Sequence, residues 1–175
     1  MGIDIRKAAP SDAAAACALL RRSIEEVCAP DHRGRPEVLD AWLANKTPET
    51  VATWFGSSSN HAIVAERDGE LLGMALLTQA GKLALCYVEP GALRSGVGRA
   101  LLAAVEDQAR AWDIRKLHQH SPESCASFYE RHGYANAGIE KSCFGLECSL
   151  MWKKLDADPA AATAAGSKRF CNCSE

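Results

Sequence analysis

The sequence predicts an α/β protein of the α+β type, in which helices flank one mixed sheet whose strands are mostly antiparallel. Two apolar runs, at 61–67 and 71–79, are separated by Asp68-Gly69, a dipeptide that favours the positive φ angles of a tight hairpin turn. Further along the chain, a strand, an amphipathic helix and another strand follow at 82–88, 98–112 and 116–120. Such a unit implies a parallel pair of strands joined by a right-handed crossover.

The first third of the chain predicts one strand and three helices, at 3–5, 13–27, 36–44 and from Thr47 onward. In the longest of these helices, apolar residues recur at three- and four-residue steps, and Asp12 stands at the N-cap position. Thr47 supplies a capping hydroxyl before a proline, a usual helix start. The stretch 28–35 contains proline, glycine and several ionisable residues, so it is predicted as a loop.

The strand at 82–88 has apolar residues on both of its faces, which indicates a central place in the sheet. After the crossover, a helix that ends at Gly133 precedes two closing strands, at 134–139 and 148–155. The sequence therefore predicts a single domain over residues 1–155. Alanine, glycine and serine predominate beyond it, and 156–175 is predicted as a flexible C-terminal tail.

Composition narrows the class of protein. The 175 residues have a net charge of -2, and this balance gives no reason to expect a nucleic-acid partner. No run approaches the roughly 18 apolar residues of a membrane span, and the N-terminus lacks a signal-peptide core, so we expect a cytoplasmic protein without membrane contact. The eight cysteines lack framework spacing, which predicts reduced thiols.

The stretch "LRSGVGRALL" places Gly96 and Gly98 at the mouth of a helix, between Arg94 and Arg99. A helix N-terminus has unpaired N–H groups and partial positive charge, and glycines let an anion approach them, so the loop predicts a pyrophosphate site. The alternative is a tight strand-to-helix turn without a ligand. A dinucleotide fingerprint lacks its third glycine at Leu101, and the Gly-Lys of a P-loop is absent.

Two stretches, "YVEPGALRSGVGRALL" and "SFYERHGY", resemble the signature motifs of the GNAT superfamily of N-acetyltransferases. The order of elements over roughly 3–155 also resembles that of the family. The resemblance implies a GNAT-like sheet with a splayed parallel pair and acetyl-CoA as the cofactor. One position departs from the motif: Leu93 stands where the family usually has Gln or Arg, which removes one side-chain contact to the pyrophosphate.

The resemblance also implies where the cofactor binds. The pyrophosphate is expected beside Arg94 on the backbone amides of Ser95, Gly96, Val97, Gly98, Arg99 and Ala100. The pantetheine arm is expected along the strand that ends at Tyr87 and Val88, where a backbone N–H polarises the thioester carbonyl. Ser124, near the start of a later helix, is expected either to contact the cofactor or to cap that helix.

Spacing alone predicts Tyr129 as a core aromatic of the helix before Gly133. The resemblance implies another role, because Tyr129 aligns with the tyrosine that protonates the departing thiolate in many members of the family, and it makes Phe128, on a different face, the better candidate for the core. Three side chains are candidates for the general base: Glu89 at the end of the central strand, and His118 and His120 on the next strand. A water held by several groups is the remaining candidate.

Other residues have weaker functional hypotheses. Cys86 is either a nucleophile that forms an acetyl-cysteine or a packed thiol, and no sequence neighbour would lower its pKa. Asp31, His32, Arg33 and Arg35 either recognise the acceptor or are solvated by water. Cys171 and Cys173 supply at most half of a tetrahedral metal site, even with Cys143 and Cys148 nearby, so no metal is predicted.

Three functions remain open at this point. The first is an N-acetyltransferase, acting as a monomer or homodimer, that acetylates a primary amine by direct attack in a ternary complex. The amine is expected on a small molecule, because the sequence shows no attached recognition domain. The second is a non-catalytic acyl-CoA-binding or sensing module of the same fold. The third, a nucleotide-binding redox protein, depends only on Gly96 and Gly98.

Overall fold

The computed structural model describes residues 2–156, so the predicted tail from 157 and the Cys171–Cys173 pair lie outside the described residues. This part of the chain contains seven strands: β1 (Asp4–Lys7), β2 (Asn60–Arg67), β3 (Glu70–Thr78), β4 (Leu83–Val88), β5 (Lys116–Pro122), β6 (Ala135–Lys141) and β7 (Glu147–Lys154). Its α-helices are α1 (Ala13–Arg22), α2 (Ala29–His32), α3 (Pro36–Leu43), α4 (Pro48–Gly56), α5 (Val97–Ala111) and α6 (Glu123–Arg131).

The mixed α/β fold is confirmed, and most element boundaries agree with the prediction within three residues. Two local predictions were wrong. The first helix is shorter than expected, because α1 ends at Arg22 and a π-helical turn follows over Ser23–Val27. The stretch 28–35, predicted as a loop, contains the single helical turn α2, which ends where Arg33 takes a left-handed conformation with φ 52°.

Two helix caps were predicted, and the structure confirms the cap at Thr47 but not the cap at Asp12. The Thr47 hydroxyl accepts a hydrogen bond from the backbone N–H of Thr50, as the sequence predicts. Asp12 stands at the N-cap of α1 without capping it, because its carboxylate accepts hydrogen bonds from Arg6 at 2.8 and 2.9 Å and from the Ala9 N–H. Asp12 therefore links the start of α1 to β1.

The first sheet is antiparallel in the order β1-β2-β3-β4. The predicted hairpin between β2 and β3 turns at Asp68 and Gly69, whose φ angles of 53° and 82° are those the dipeptide favours. Between β3 and β4 the register shifts so that Ala84 is an extra residue, a bulge that bends the central strand.

The second sheet has the order β5-β7-β6, so the last strand lies between two earlier ones. The predicted parallel pair, β4 and β5, meets only through the bridge between Lys82 and His118, where the His118 N–H donates to the Gly81 carbonyl at 3.0 Å. Beyond this bridge the two strands form no ladder with each other. The splay opens a cleft between the two sheets.

Two cores cover the two faces of the first sheet. One contains α1, α3 and α4, and the other contains α5 and α6. Gly73 on β3 lets α5 approach closely, since a Cβ at this position would lie 2.8 Å from both Leu101 and Val97. The close approach holds the N-terminus of α5 beside the end of β4. No helix within residues 2–156 is both long and apolar enough to cross a membrane.

Candidate active site

A cavity of about 550 Å³ fills the cleft between β4 and β5. Its wall includes side chains of β4, of the loop before α5, of β5 and of α6, together with residues 23–28. The structure therefore brings the glycine loop, the central strand and the Phe-Tyr motif, far apart in sequence, to one site.

The N-terminus of α5 offers unpaired amides to this cavity. Gly96 has φ 90° and Arg94 has φ 59°, so the loop turns sharply into the helix. The Ser95 hydroxyl braces the turn by donating to the Ala92 carbonyl at 2.5 Å. The first helical hydrogen bond of α5 runs from Ala100 N–H to the Gly96 carbonyl at 3.0 Å.

The Ala100 N–H was expected to bind the pyrophosphate. This expectation was wrong, because that N–H donates to the Gly96 carbonyl within the helix. Within the described residues, the N–H groups of Gly96, Val97, Gly98 and Arg99 have no protein acceptor. Arg94 and Arg99 are exposed and line the same cavity, so two positive charges flank the four amides. This combination suits a pyrophosphate.

The edge of β4 that faces β5 is unpaired beyond Lys82 in the described part of the chain. Tyr87 and Val88 lie on this stretch and line the cavity. Free N–H and C=O groups on a strand edge can pair with an extended chain that contains amides, and pantetheine is such a chain. The positions predicted for the arm thus lie beside those predicted for the pyrophosphate.

Tyr129 is more deeply buried than Phe128, the reverse of the prediction. Tyr129 is only 5% exposed and belongs to the core around α5, whereas Phe128 is partly exposed. Phe128 packs against the same core while partly exposed, so the prediction that it is the better core candidate of the two was wrong; both side chains line the cavity. Burial raises the pKa of the Tyr129 phenol well above its ordinary value, and the nearby Cys86 and Cys125 thiols add to the effect. The phenol is therefore protonated at neutral pH.

Glu89 is not in the position that a base requires. Arg22 of α1 donates two hydrogen bonds to its carboxylate, at 2.9 and 2.7 Å. The Glu89 side chain is also absent from the residues that line the cavity. The bidentate pair instead joins α1 to the end of β4, which is a structural role.

The two histidines of β5 differ in position. His118 lies opposite Trp152 of β7 and does not line the cavity, and burial lowers its pKa. His120 lines the cavity, and its Nε2 lies 2.5 Å from a carboxylate oxygen of Glu140 on β6. Of the three side chains predicted as candidate bases, only His120 reaches the site.

Cys86 lines the cavity as a neutral thiol, because burial raises its pKa to about 11. A thiol that is protonated at neutral pH is a weak nucleophile, which favours the packed thiol over an acetyl-cysteine intermediate.

The charged residues of 28–35 are largely engaged within the protein. Asp31 accepts hydrogen bonds from the backbone N–H of Ser124 at 3.0 Å and from the Ser124 hydroxyl. Ser124 therefore does not cap α6 itself. His32 is buried, and its ring nitrogens contact the Ile24 carbonyl and the Gly34 N–H. The hypothesis that His32 recognises an acceptor was wrong.

Several cavity residues were missed in the sequence. Gln119 is 4% exposed, and its buried side-chain amide lies beside the Tyr129 hydroxyl, but its nitrogen forms no well-aligned hydrogen bond within the described residues. An unpaired buried donor on a cavity wall fits a ligand with carbonyl oxygens. The sequence did contain a sign of this residue, because Gln119 is polar and lies on the face of β5 whose alternate residues are buried. Cys28 and Cys125 had no comparable signal, nor did Glu140, which contacts the cavity residue His120.

The residues present fit acetyl-CoA, because unpaired amides with two arginines, an open strand edge and an orphaned amide donor border one cavity. This fold and site define the class of proteins that bind an acyl-CoA. A family model described as "Acetyltransferase (GNAT) domain" matches residues 28–155. The chain belongs to the GNAT acetyltransferase family, whose members use acetyl-CoA as the acetyl donor.

Individual relatives agree with this assignment. The chain is 30% identical over 99 residues to the peptidyl-lysine N-acetyltransferase YiaC of Escherichia coli (strain K12), and the match covers 57% of each protein. The chain thus spans little more than half the length of this relative. The crystal structure of a GCN5-related N-acetyltransferase from Rhodopseudomonas palustris has a TM-score of 0.81 at 25% identity, covering 89% of this chain and 97% of that one. The PaiA N-acetyltransferase of Thermoplasma acidophilum, solved with coenzyme A, has a TM-score of 0.71 at 22% identity, covering 88% and 99%.

Proposed function

We propose that the chain transfers an acetyl group from acetyl-CoA to a primary amine by direct attack in a ternary complex, and that residues 1–155 form the catalytic domain. The main observation is that one cavity joins the free amides of α5, the open edge of β4 and the buried phenol of Tyr129. Bound acetyl-CoA would supply an activated thioester carbonyl, and the protein would supply position and proton transfer.

The binding roles follow from the contacts that are free. The N–H groups of Gly96 to Arg99 hold the pyrophosphate, and Arg94 and Arg99 compensate for the side chain missing at Leu93. The open edge of β4 at Tyr87 and Val88 holds the amide-rich arm. The orphaned side-chain nitrogen of Gln119 donates to a carbonyl oxygen of the arm.

Tyr129 is the general acid. Its high pKa keeps the hydroxyl protonated until the sulfur acquires negative charge, and its burial holds the ring in place. Ser124 borders the cavity, but its hydroxyl donates a hydrogen bond to Asp31. We therefore give Ser124 no direct part in proton transfer.

His120 is the general base, and Glu140 positions it. When the Nε2–H of His120 donates a hydrogen bond to the Glu140 carboxylate, Nδ1 carries no proton and is the nitrogen that can accept one. This assignment replaces Glu89, whose carboxylate is held by Arg22.

Two acceptor classes are compared in the test. A small-molecule amine is the proposed class. A lysine side chain of a peptide is the second candidate, favoured by the name of the YiaC relative. Purified protein is incubated with acetyl-CoA and a panel of polyamines, amino acids, aminoglycosides and lysine peptides, while release of free thiol is followed.

We expect thiol release with at least one amine and an acetylated product by mass spectrometry. Turnover with lysine peptides alone would replace the small-molecule class. Saturable acetyl-CoA binding without turnover of any amine would support the acyl-CoA-binding or sensing module. A thermal shift with NAD or ATP, but none with acetyl-CoA, would overturn the proposal.

A further inference from the structure

Two thiols meet beside the cavity, and the proposed acetyl transfer uses neither. Cys28 precedes α2 and is 2% exposed, whereas Cys125 lies in the first turn of α6 and is partly exposed. Both line the cavity, and both are free cysteines. Each thiol shifts the pKa of the other, so the two side chains are neighbours in the cavity wall.

A hydrogen-bonded link holds this pair together independently of the sulfur atoms. Asp31, three residues after Cys28, accepts hydrogen bonds from the N–H and the hydroxyl of Ser124, the residue before Cys125. The segment around α2 is thus fastened to the start of α6 next to the two cysteines. Their proximity follows from the fold and does not depend on a flexible encounter.

The pair is chemically asymmetric. The contact with Cys28 lowers the pKa of Cys125, and the Ser124 hydroxyl, 3.7 Å from its sulfur, acts in the same direction, while burial and Asp31 oppose them. The same contact, together with burial, raises the pKa of Cys28. The accessible thiol is therefore the one that ionises, and a protonated thiol lies directly behind it.

We propose that Cys125 is an oxidation site for hydroperoxides and that Cys28 resolves the oxidised form into an intrachain disulfide. In the first step the Cys125 thiolate attacks a peroxide oxygen, the O–O bond breaks, and hydroxide or alkoxide leaves. In the second step the Cys28 sulfur attacks the sulfur of the sulfenic acid, the S–O bond breaks, and hydroxide leaves with the Cys28 proton as water. The two thiols are oxidised by two electrons, and the peroxide is reduced.

The disulfide would fasten the segment before α2 to α6 along the cavity wall. A low-molecular-weight thiol would reverse it by exchange. The reaction needs no acetyl transfer, so its test is independent of the proposed function.

The test treats the full-length protein with equimolar hydrogen peroxide and maps cysteine-containing peptides by mass spectrometry with and without a reductant. We expect a reducible Cys28–Cys125 peptide pair, two hydrogens lighter than the free peptides. We expect it to form about tenfold or more faster than oxidation of Cys143, an exposed thiol of the β6–β7 loop.

Variants separate the two roles. Cys28→Ala should let the sulfenic acid of Cys125 accumulate and be trapped by a dimedone probe, whereas Cys143→Ser should form the disulfide at the wild-type rate. Recovery of unlinked, reduced Cys28 and Cys125 from the wild type, while Cys143 is oxidised, would overturn the proposal. The wild-type map decides the matter even where a variant fails to fold.

Discussion

Gly98 in the first turn of α5 lies against the ring of Phe128 in α6, where a Cβ would stand only 3.2 Å from the ring edge. The two signature motifs of the chain, about thirty residues apart, therefore contact each other at this glycine. The glycine serves two purposes: it lets the ring pack, and it keeps the N–H groups of the helix start open.

Gly98→Glu should abolish detectable acetyl-CoA binding, because it adds bulk and negative charge where the amides are free. The variant should also melt a few degrees lower, since the new Cβ displaces the Phe128 ring. Calorimetric titration and thermal denaturation measure the two effects. Gly56→Glu is the matched control, as a Cβ there meets no atom within 4 Å. Wild-type acetyl-CoA affinity in folded Gly98→Glu would mean that the loop is only a turn.

Replacing both Arg94 and Arg99 by glutamate should weaken acetyl-CoA binding by about tenfold or more, because their charges flank the free amides. The dependence of the dissociation constant on salt should decrease as well. Lys154→Glu, on an exposed side chain of β7, makes the same charge change as each single arginine replacement and should leave binding unchanged. An unaltered affinity in the double variant would leave the amides as the sole anchor.

His120→Gln should lower kcat by about a hundredfold with a responsive amine, because the proposed base is removed. Glu140→Gln should cost about tenfold, since the imidazole remains and loses its orienting carboxylate. His118→Gln, on the same strand but away from the cavity, is the control and should retain activity. Equal losses in the His118 and His120 variants would point to damage of β5 and not to catalysis.

Much of the fold was predictable because the signals were local. Alternation and Asp68-Gly69 indicated the hairpin, Thr47 capped the helix that it was expected to cap, and the strand–helix–strand unit indicated a parallel pair. The place of β7 between β5 and β6 was not predictable, because strand order depends on tertiary packing of residues distant in the chain.

In the candidate site, too, features set by a short stretch of sequence were predictable, whereas features set by distant residues were not. The helix mouth at Gly96 and Gly98 follows from residue types in one short stretch. Glu89 was misjudged because its partner, Arg22, lies 67 positions away in the chain. The choice of Phe128 over Tyr129 as the core residue was wrong for a similar reason, since the burial of adjacent helical positions depends on neighbours that are distant in the chain.

Asp12→Asn should make the stability less sensitive to acid. Hydrogen bonds from Arg6 hold the pKa of Asp12 below its ordinary value in the folded state. The resulting stabilisation is complete above the unfolded-state pKa of about 3.9 and is lost as the pH falls through the folded-state pKa.

Urea denaturation at pH 7 should show that Asp12→Asn lowers the free energy of unfolding by about 1 kcal/mol. This is less than a buried charged hydrogen bond contributes, because Arg6 is partly exposed. The difference from the wild type should shrink at about pH 3. Asp107→Asn, an exposed partner of Arg110, should change little at either pH. A difference that persists undiminished in acid would mean that the carboxylate charge is not the source.

The most direct test of the central claim is the single-turnover rate of acetyl transfer by Tyr129→Phe, with an amine that the panel identifies. The substitution keeps the buried ring and removes only the hydroxyl, so acetyl-CoA affinity should stay within about twofold, while the rate falls by about a hundredfold. Tyr134→Phe is the matched control: its hydroxyl donates to Glu106 at 3.3 Å in the core, so stability should fall while the rate stays near wild type. An unchanged single-turnover rate in Tyr129→Phe would contradict the assignment of Tyr129 as the proton donor.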